Sequence, residues 1–117
     1  MYAQRQTVSA TTDGSGNATV YSGNVTGRIH AIVYTKTDFA TGVDFAVTLE
    51  GTGEVLWTGT NVDASAVVYP VVAATVASTG AASVLLQVPI YAANDRVKFV
   101  VSSGGATKTG AFQVVMA

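Results

Sequence analysis

Alternation of apolar and polar side chains organises this chain. In residues 43–50, Val43, Phe45, Val47 and Leu49 fall on one side, and Asp44, Thr48 and Glu50 on the other. A two-residue period of this kind marks a half-buried strand. Residues 28–36 alternate too, setting Ile29, Ala31 and Val33 against Arg28, His30 and Lys36. Residues 96–101 set Val97, Phe99 and Val101 against Arg96 and Lys98, and Phe112, Val114 and Met116 mark a last strand. The abundant Val, Ile and Thr suit a pleated surface better than a helix. No stretch sustains a helical period, and residues 91–95 leave room for one short helical turn at most.

Turn signals separate the runs. Asp13-Gly14-Ser15-Gly16-Asn17 joins a strand over residues 7–11 to one over 18–22. Gly51-Thr52-Gly53 joins residues 43–50 to 55–60, where Trp57 is expected to anchor the second strand in the core. Ser102-Ser103-Gly104-Gly105 and Lys108-Thr109-Gly110 close the last two loops. About eight strands, mostly joined as hairpins, predict one all-β domain over residues 1–117: an antiparallel β-sandwich, jelly-roll or immunoglobulin-like. Residues 1–6 read as a mobile arm.

The middle of the chain breaks the pattern. Val67-Val68-Tyr69-Pro70-Val71-Val72 is apolar on both faces, and Pro70 argues against a central strand. Residues 83–90 suit a strand with Val84, Leu86, Val88 and Ile90 on one face, and residues 73–82 form a long connection of small side chains. Residues 64–94 are therefore an arm or excursion. It either folds back onto its own sandwich or is buried against other copies or a larger partner.

Composition sharpens that feature. Only 11% of the 117 residues are charged, against roughly a quarter in an ordinary soluble domain. Residues 64–94 carry no charge at all. Pro70, Gly80 and Pro89 interrupt every run long enough to suggest a membrane span. A net charge of −1 leaves no electrostatic footprint for nucleic acid or an anionic membrane. The start, MYAQRQTVSATTDGSG, has no apolar stretch behind Arg5, so the chain is expected to stay in the cytoplasm where it is made.

The chemical inventory is sparse. There is no cysteine and a single histidine, which leaves no thiol chemistry and no histidine pair for a metal. His30 shares a strand face with Arg28 and Lys36, the setting of a solvated histidine rather than a triad base. Glu50 and Glu54 flank one hairpin turn without a pocket between them. Asp13-Gly14-Ser15-Gly16-Asn17 resembles the opening of a calcium loop, but the twelfth position, where a carboxylate is needed, is Asn24. A Gly-rich turn accounts for it better. No catalytic residue, cofactor or metal ligand is therefore expected. A carbohydrate-binding module stays open on Tyr2, Tyr21, Tyr34, Tyr69, Tyr91 and Trp57, with Tyr21 and Tyr34 on outward positions.

Several phrases carry a family likeness. They are Thr7-Val8-Ser9-Ala10-Thr11-Thr12-Asp13-Gly14-Ser15-Gly16-Asn17-Ala18-Thr19-Val20-Tyr21, Val25-Thr26-Gly27-Arg28-Ile29 and Asp38-Phe39-Ala40-Thr41-Gly42-Val43-Asp44-Phe45. Val55-Leu56-Trp57-Thr58, Asp95-Arg96-Val97-Lys98-Phe99 and Gly104-Gly105-Ala106-Thr107-Lys108-Thr109-Gly110-Ala111-Phe112 complete them. Together they resemble small all-β virion structural proteins of tailed bacteriophages. Residues 64–94 have no counterpart in that pattern.

The resemblance implies a capsid decoration (cement) protein that bridges capsomers, with a tail or neck component as the alternative. Its implied partners are the major capsid protein and copies of itself, as a trimer, and its implied location is the virion. The contact residues expected for that role are Val67, Val68, Tyr69, Val71, Val72 and Val76, joined by Tyr2 and Arg5 from the N-terminal arm.

Overall fold

The alternating segments pair into two antiparallel sheets. The structure, a computed structural model, describes residues 3–117, and the side chains of all of these but residues 84 and 85. Ten strands follow in order: β1 (Gln4–Thr11), β2 (Ala18–Tyr21), β3 (Val25–Lys36), β4 (Asp44–Leu49), β5 (Val55–Gly59), β6 (Ala66–Val68), β7 (Val71–Thr75), β8 (Ala82–Asp95), β9 (Val97–Ser102) and β10 (Thr109–Met116). The larger sheet runs β1-β10-β3-β8-β7, with β6 also paired to β3, and the smaller sheet runs β2-β9-β4-β5. The all-β sandwich of the sequence reading is present, with β6 and β7 added from the uncharged stretch.

Inward residues of both sheets form one core. Phe45 is its hub, edge-on to Tyr34 at 4.6 Å and to Phe112 at 4.9 Å between ring centroids, while Phe99 stacks on Phe112 at 4.7 Å. Val43, Phe45, Val47 and Leu49 are all buried, as their alternation predicts. Trp57 is half-buried and packs against this core. Thr12 is a buried polar tie: its hydroxyl accepts the Lys108 N–H at 2.8 Å and donates to the Gly105 carbonyl. It thereby joins the β1–β2 turn to the β9–β10 loop.

Three expectations need correction. Residues 4–6 are not an arm; they begin β1, in register with Met116, Val115 and Val114 of β10. Ladder hydrogen bonds to an existing strand hold them. Residues 91–95 are not a helical turn but the end of β8. The third correction concerns β3, where alternation fails. Ile29 and Ala31 face Met116 and Val115, consecutive residues of β10, so β3 carries an extra residue at His30. A bulge of this kind swaps the faces beyond it. Ile32 and Tyr34 therefore join the core, whereas Val33 lies half-buried on the other face with Ala31, which is buried there outside the core cluster. Tyr34, expected outward, is 1% exposed, and its hydroxyl has no hydrogen-bond partner among the described residues.

Candidate functional site

Beyond the sandwich, the chain builds a two-stranded projection. β8 changes partners along its length: residues 90–95 pair with β3, and residues 82–89 pair with β7. The β7–β8 hairpin thus leaves the body as an arm over residues 71–89. The molecule measures 48 × 30 × 23 Å with a radius of gyration of 14.9 Å, against ~13.4 Å for a compact chain of this length. At the tip, the Val76 carbonyl accepts the Gly80 N–H at 2.7 Å, and the Val76 N–H donates to the Ala81 carbonyl at 2.8 Å. Gly80 takes the left-handed φ of 73° that this turn needs.

Among its described side chains, the arm has no buried side. Val71 and Val72 point to opposite faces of β7, yet they are 49% and 43% exposed. Across the hairpin, Leu86 is 65% exposed and Val88 40%. β7 is also an end strand of its sheet. Soluble proteins usually guard such an edge with a Lys, a Pro or a bulge turned outward; Val71–Thr75 reads VVAAT, with no Lys or Pro, and its register with β8 shifts between Ala73 and Thr75.

The expected contact residues distribute over two connected surfaces. Val71, Val72 and Val76 lie exposed on the arm. Val67 and Tyr69 are exposed beside its root, with Val67 in register with Val33 of β3. Arg5 lies on the same outer face of the larger sheet, opposite Val115. Val68 departs from the set: it is half-buried and packs against the core. Tyr2 lies outside the described residues. Leu86, Val88, Tyr91 and Arg28 were missed. Tyr91 is 65% exposed and stands in register with Arg28, a neighbourhood set by a long-range pairing that a linear pattern does not contain.

At the arm root the outer face dips into a cleft of about 110 Å³ lined by Arg28, Ile29, His30, Tyr69, Pro70, Val71 and Pro89. His30 meets Tyr69 edge-on at 5.5 Å between centroids. A second shallow depression lies at Ala3, Gln4, Arg5 and Val115.

Elsewhere the polar groups hold loops. Asp13 Oδ1 accepts the N–H groups of Ser15 at 2.8 Å and Asn17 at 3.0 Å. These bonds hold its carboxyl below its ordinary pKa and make the pentapeptide a turn. Glu50 is engaged by Arg96, whose Nη2 lies 2.6 Å from Oε2, and that hydrogen-bonded ion pair lowers the Glu50 pKa. Tyr21 lies under the Arg96 guanidinium, 4.2 Å from the ring centroid. No group of three or more His, Asp or Glu side chains suited to a metal occurs among the described residues.

No family model and no curated protein matches the chain. Among solved structures, the crystal structure of FlhE aligns with it over 97% of this chain and 96% of that chain, at 11% identity and a TM-score of 0.46. A likeness that distant assigns neither function nor partner.

Proposed function

We propose that this chain is a non-enzymatic structural protein of a bacteriophage virion, a capsid decoration protein that works by inserting its hairpin arm between neighbouring subunits. The observation that carries this reading is the arm itself: an uncharged hairpin with exposed apolar side chains on both faces and no charge along its edge strand. A lone two-stranded hairpin is marginal in water, and this one gains little from its own sandwich. Burial against a larger surface supplies the missing contacts. A stable contact covers roughly 1,200–2,000 Å² in total, and the flat sheet face beside the root extends the arm toward that size. Repeated around a symmetry axis, such contacts bind capsomers together without any reaction. The partners are the major capsid protein and copies of this chain, arranged as a trimer.

Two measurements test the proposal. Purified particles should contain on the order of hundreds of copies, as a shell-wide repeat requires; three, six or twelve copies would place the chain in the tail or neck instead. A variant with residues 74–86 replaced by Asn-Gly, a favoured two-residue hairpin turn, should fold normally and no longer co-sediment with heads. Full co-sedimentation of that variant would remove the arm from the mechanism.

A further inference from the structure

The outer face of the larger sheet is electrostatically one-sided. Of the seven acidic residues, Asp13, Asp38, Glu54 and Asp63 lie in loops, while Asp44 and Glu50 belong to β4 and the turn after it. Asp95 ends β8, but the β3–β8 register slips between Val25 and Gly27. Asn94 takes a φ of 51° at this bulge, and the Asp95 carboxylate turns to accept the Gly51 N–H from the smaller sheet at 2.9 Å. The outer face of the larger sheet is thus free of Asp and Glu side chains. Its charged side chains are Arg5 and Arg28.

Arg28 is held in place yet left unpaired. Its N–H donates to the Ala117 carbonyl and its carbonyl accepts the Ala117 N–H, both at 3.0 Å. On the other side it lies in register with Tyr91. Gly27 before it adopts a φ of 119°, and a Cβ there would stand 2.8 Å from the Ala117 carbonyl oxygen, so this bulged backbone requires glycine. The backbone is therefore fixed from both sides. The Arg28 side chain is half-buried and has neither hydrogen-bond nor ion-pair partner among the described residues. A half-exposed guanidinium with no protein acceptor is free to take an arriving anion through charge-assisted hydrogen bonds.

We propose that the cleft at the arm root takes a single carboxylate side chain, Asp or Glu, from a protein partner docked on the outer face of the larger sheet. At about 110 Å³ the cleft is too small for an ordinary small-molecule ligand, which needs ~300 Å³ or more, and it suits one acidic side chain. The surroundings suit a protein surface: Tyr69, Tyr91, Val67 and Val33 continue the face, and Tyr and Arg are the residues enriched at the centres of protein interfaces. The arm supplies apolar area and the Arg28–carboxylate pair fixes register, since a guanidinium recognises a carboxylate by two parallel hydrogen bonds. This inference rests on the reading of the chain as a docking protein, and it adds the chemistry of the partner.

A blocked tripeptide, acetyl-Gly-Glu-Gly-amide, probes the cleft without any partner in hand. Titrated into the ¹⁵N-labelled full chain, it should shift the amides of residues 28–30, 69–71 and 89–91 and the Arg28 Nε–H. The Gln counterpart should shift them little, Arg28→Gln should weaken binding by about tenfold, and Arg28→Lys should retain part of it, as expected for one charge-assisted contact. Equal shifts from both peptides, or shifts spread over Lys36, Lys98 and Lys108, would overturn the proposal. The Asn-Gly variant keeps the cleft, so it should bind the peptide while losing particle attachment. Failure of the cleft and failure of the arm are thereby read separately.

Discussion

The sandwich body and the hairpin arm are built from the same residue types and obey opposite rules. In the body, Val, Ile and Phe alternate with polar residues, and the apolar set is buried: Val43, Val47, Val97 and Phe99 are all 0% exposed. In the arm, Val71, Val72, Leu86 and Val88 form strands of the same pleat and remain largely open. The two regions teach that β-propensity and burial are separate requirements. Branched apolar side chains make both segments extend, but only a second sheet covers the faces. The body is complete within one chain, whereas the arm has the composition of an interior without a neighbour to make it one.

The largest test of this contrast compares equally drastic changes in the two regions. Phe112 is fully buried between Phe45 and Phe99. Phe112→Ala should cost about 3–5 kcal/mol, the loss typical of an aromatic removed from a core. Val72→Thr, on the arm, should stay within about 0.5 kcal/mol, like other surface substitutions. Urea denaturation of each variant measures both. A loss of more than about 2 kcal/mol for Val72→Thr, a scale reserved for core and network defects, would mean that the arm packs on its own body and needs no partner.

How far the sequence foretells each region follows from the same contrast. Residues 43–50 are legible because one face meets a core and the other meets water, so the period of two appears in the composition. β3 is misread beyond His30 because a bulge there leaves no mark in the alternation; its cause is the register against Val115 and Met116, far along the chain. The start of β1 is missed for a related reason. Gln4, Arg5 and Gln6 look like a tail because hydrophilic side chains suit an edge strand, and only the ladder to β10 orders them. For the arm, the missing charge marks residues 64–94, whereas the projecting hairpin covers only 71–89 and the flanking stretches pair with β3 in the body. The arm's second strand is legible, since residues 83–90 read as a strand and fall in β8, but its first is not: Val71–Thr75 is exposed on both faces and shows no alternation. The cleft was invisible, since it needs Arg28 of β3, Tyr69 from the link after β6 and Pro89 of β8 brought to one place.

A smaller effect concerns the one flaw in the body's completeness. The Tyr34 hydroxyl is buried and unpartnered among the described residues, and a buried hydroxyl without a hydrogen bond costs roughly 1–3 kcal/mol. Tyr34→Phe should therefore raise stability by about 1 kcal/mol, read as a higher urea midpoint at unchanged slope. Burial also raises the Tyr34 pKa above its ordinary 10.0. Stability tied to the neutral phenol is complete below pH 10.0 and is lost as pH climbs through the raised value. The phenylalanine variant should lack this part of the alkaline decline. A destabilised Tyr34→Phe would show that the hydroxyl has a partner in solution.

The smallest effect separates the regions by pH. Asp13, Asp38 and Glu50 all have lowered pKa values, through the backbone N–H groups of Asn17, of Thr109, and the Arg96 guanidinium respectively. Ordinary values are 3.8 for Asp and 4.5 for Glu. The stability these carboxylates contribute is fully present above those values and is lost as pH falls through the lowered ones. All three are solvent-exposed, so each contributes little. The arm contains no carboxylate; it can neither add to this acid decline nor blunt it. The melting temperature of the Asn-Gly variant should therefore fall below pH 4 in parallel with that of the intact chain, while Asp13→Asn should flatten the decline in both. Parallel curves would mark acid sensitivity as a property of the body's loops alone. A gap that opens between intact and shortened chains as the pH drops would mean that the arm leans on a body carboxylate, and the division between a self-sufficient body and an arm completed by its partner would have to be redrawn.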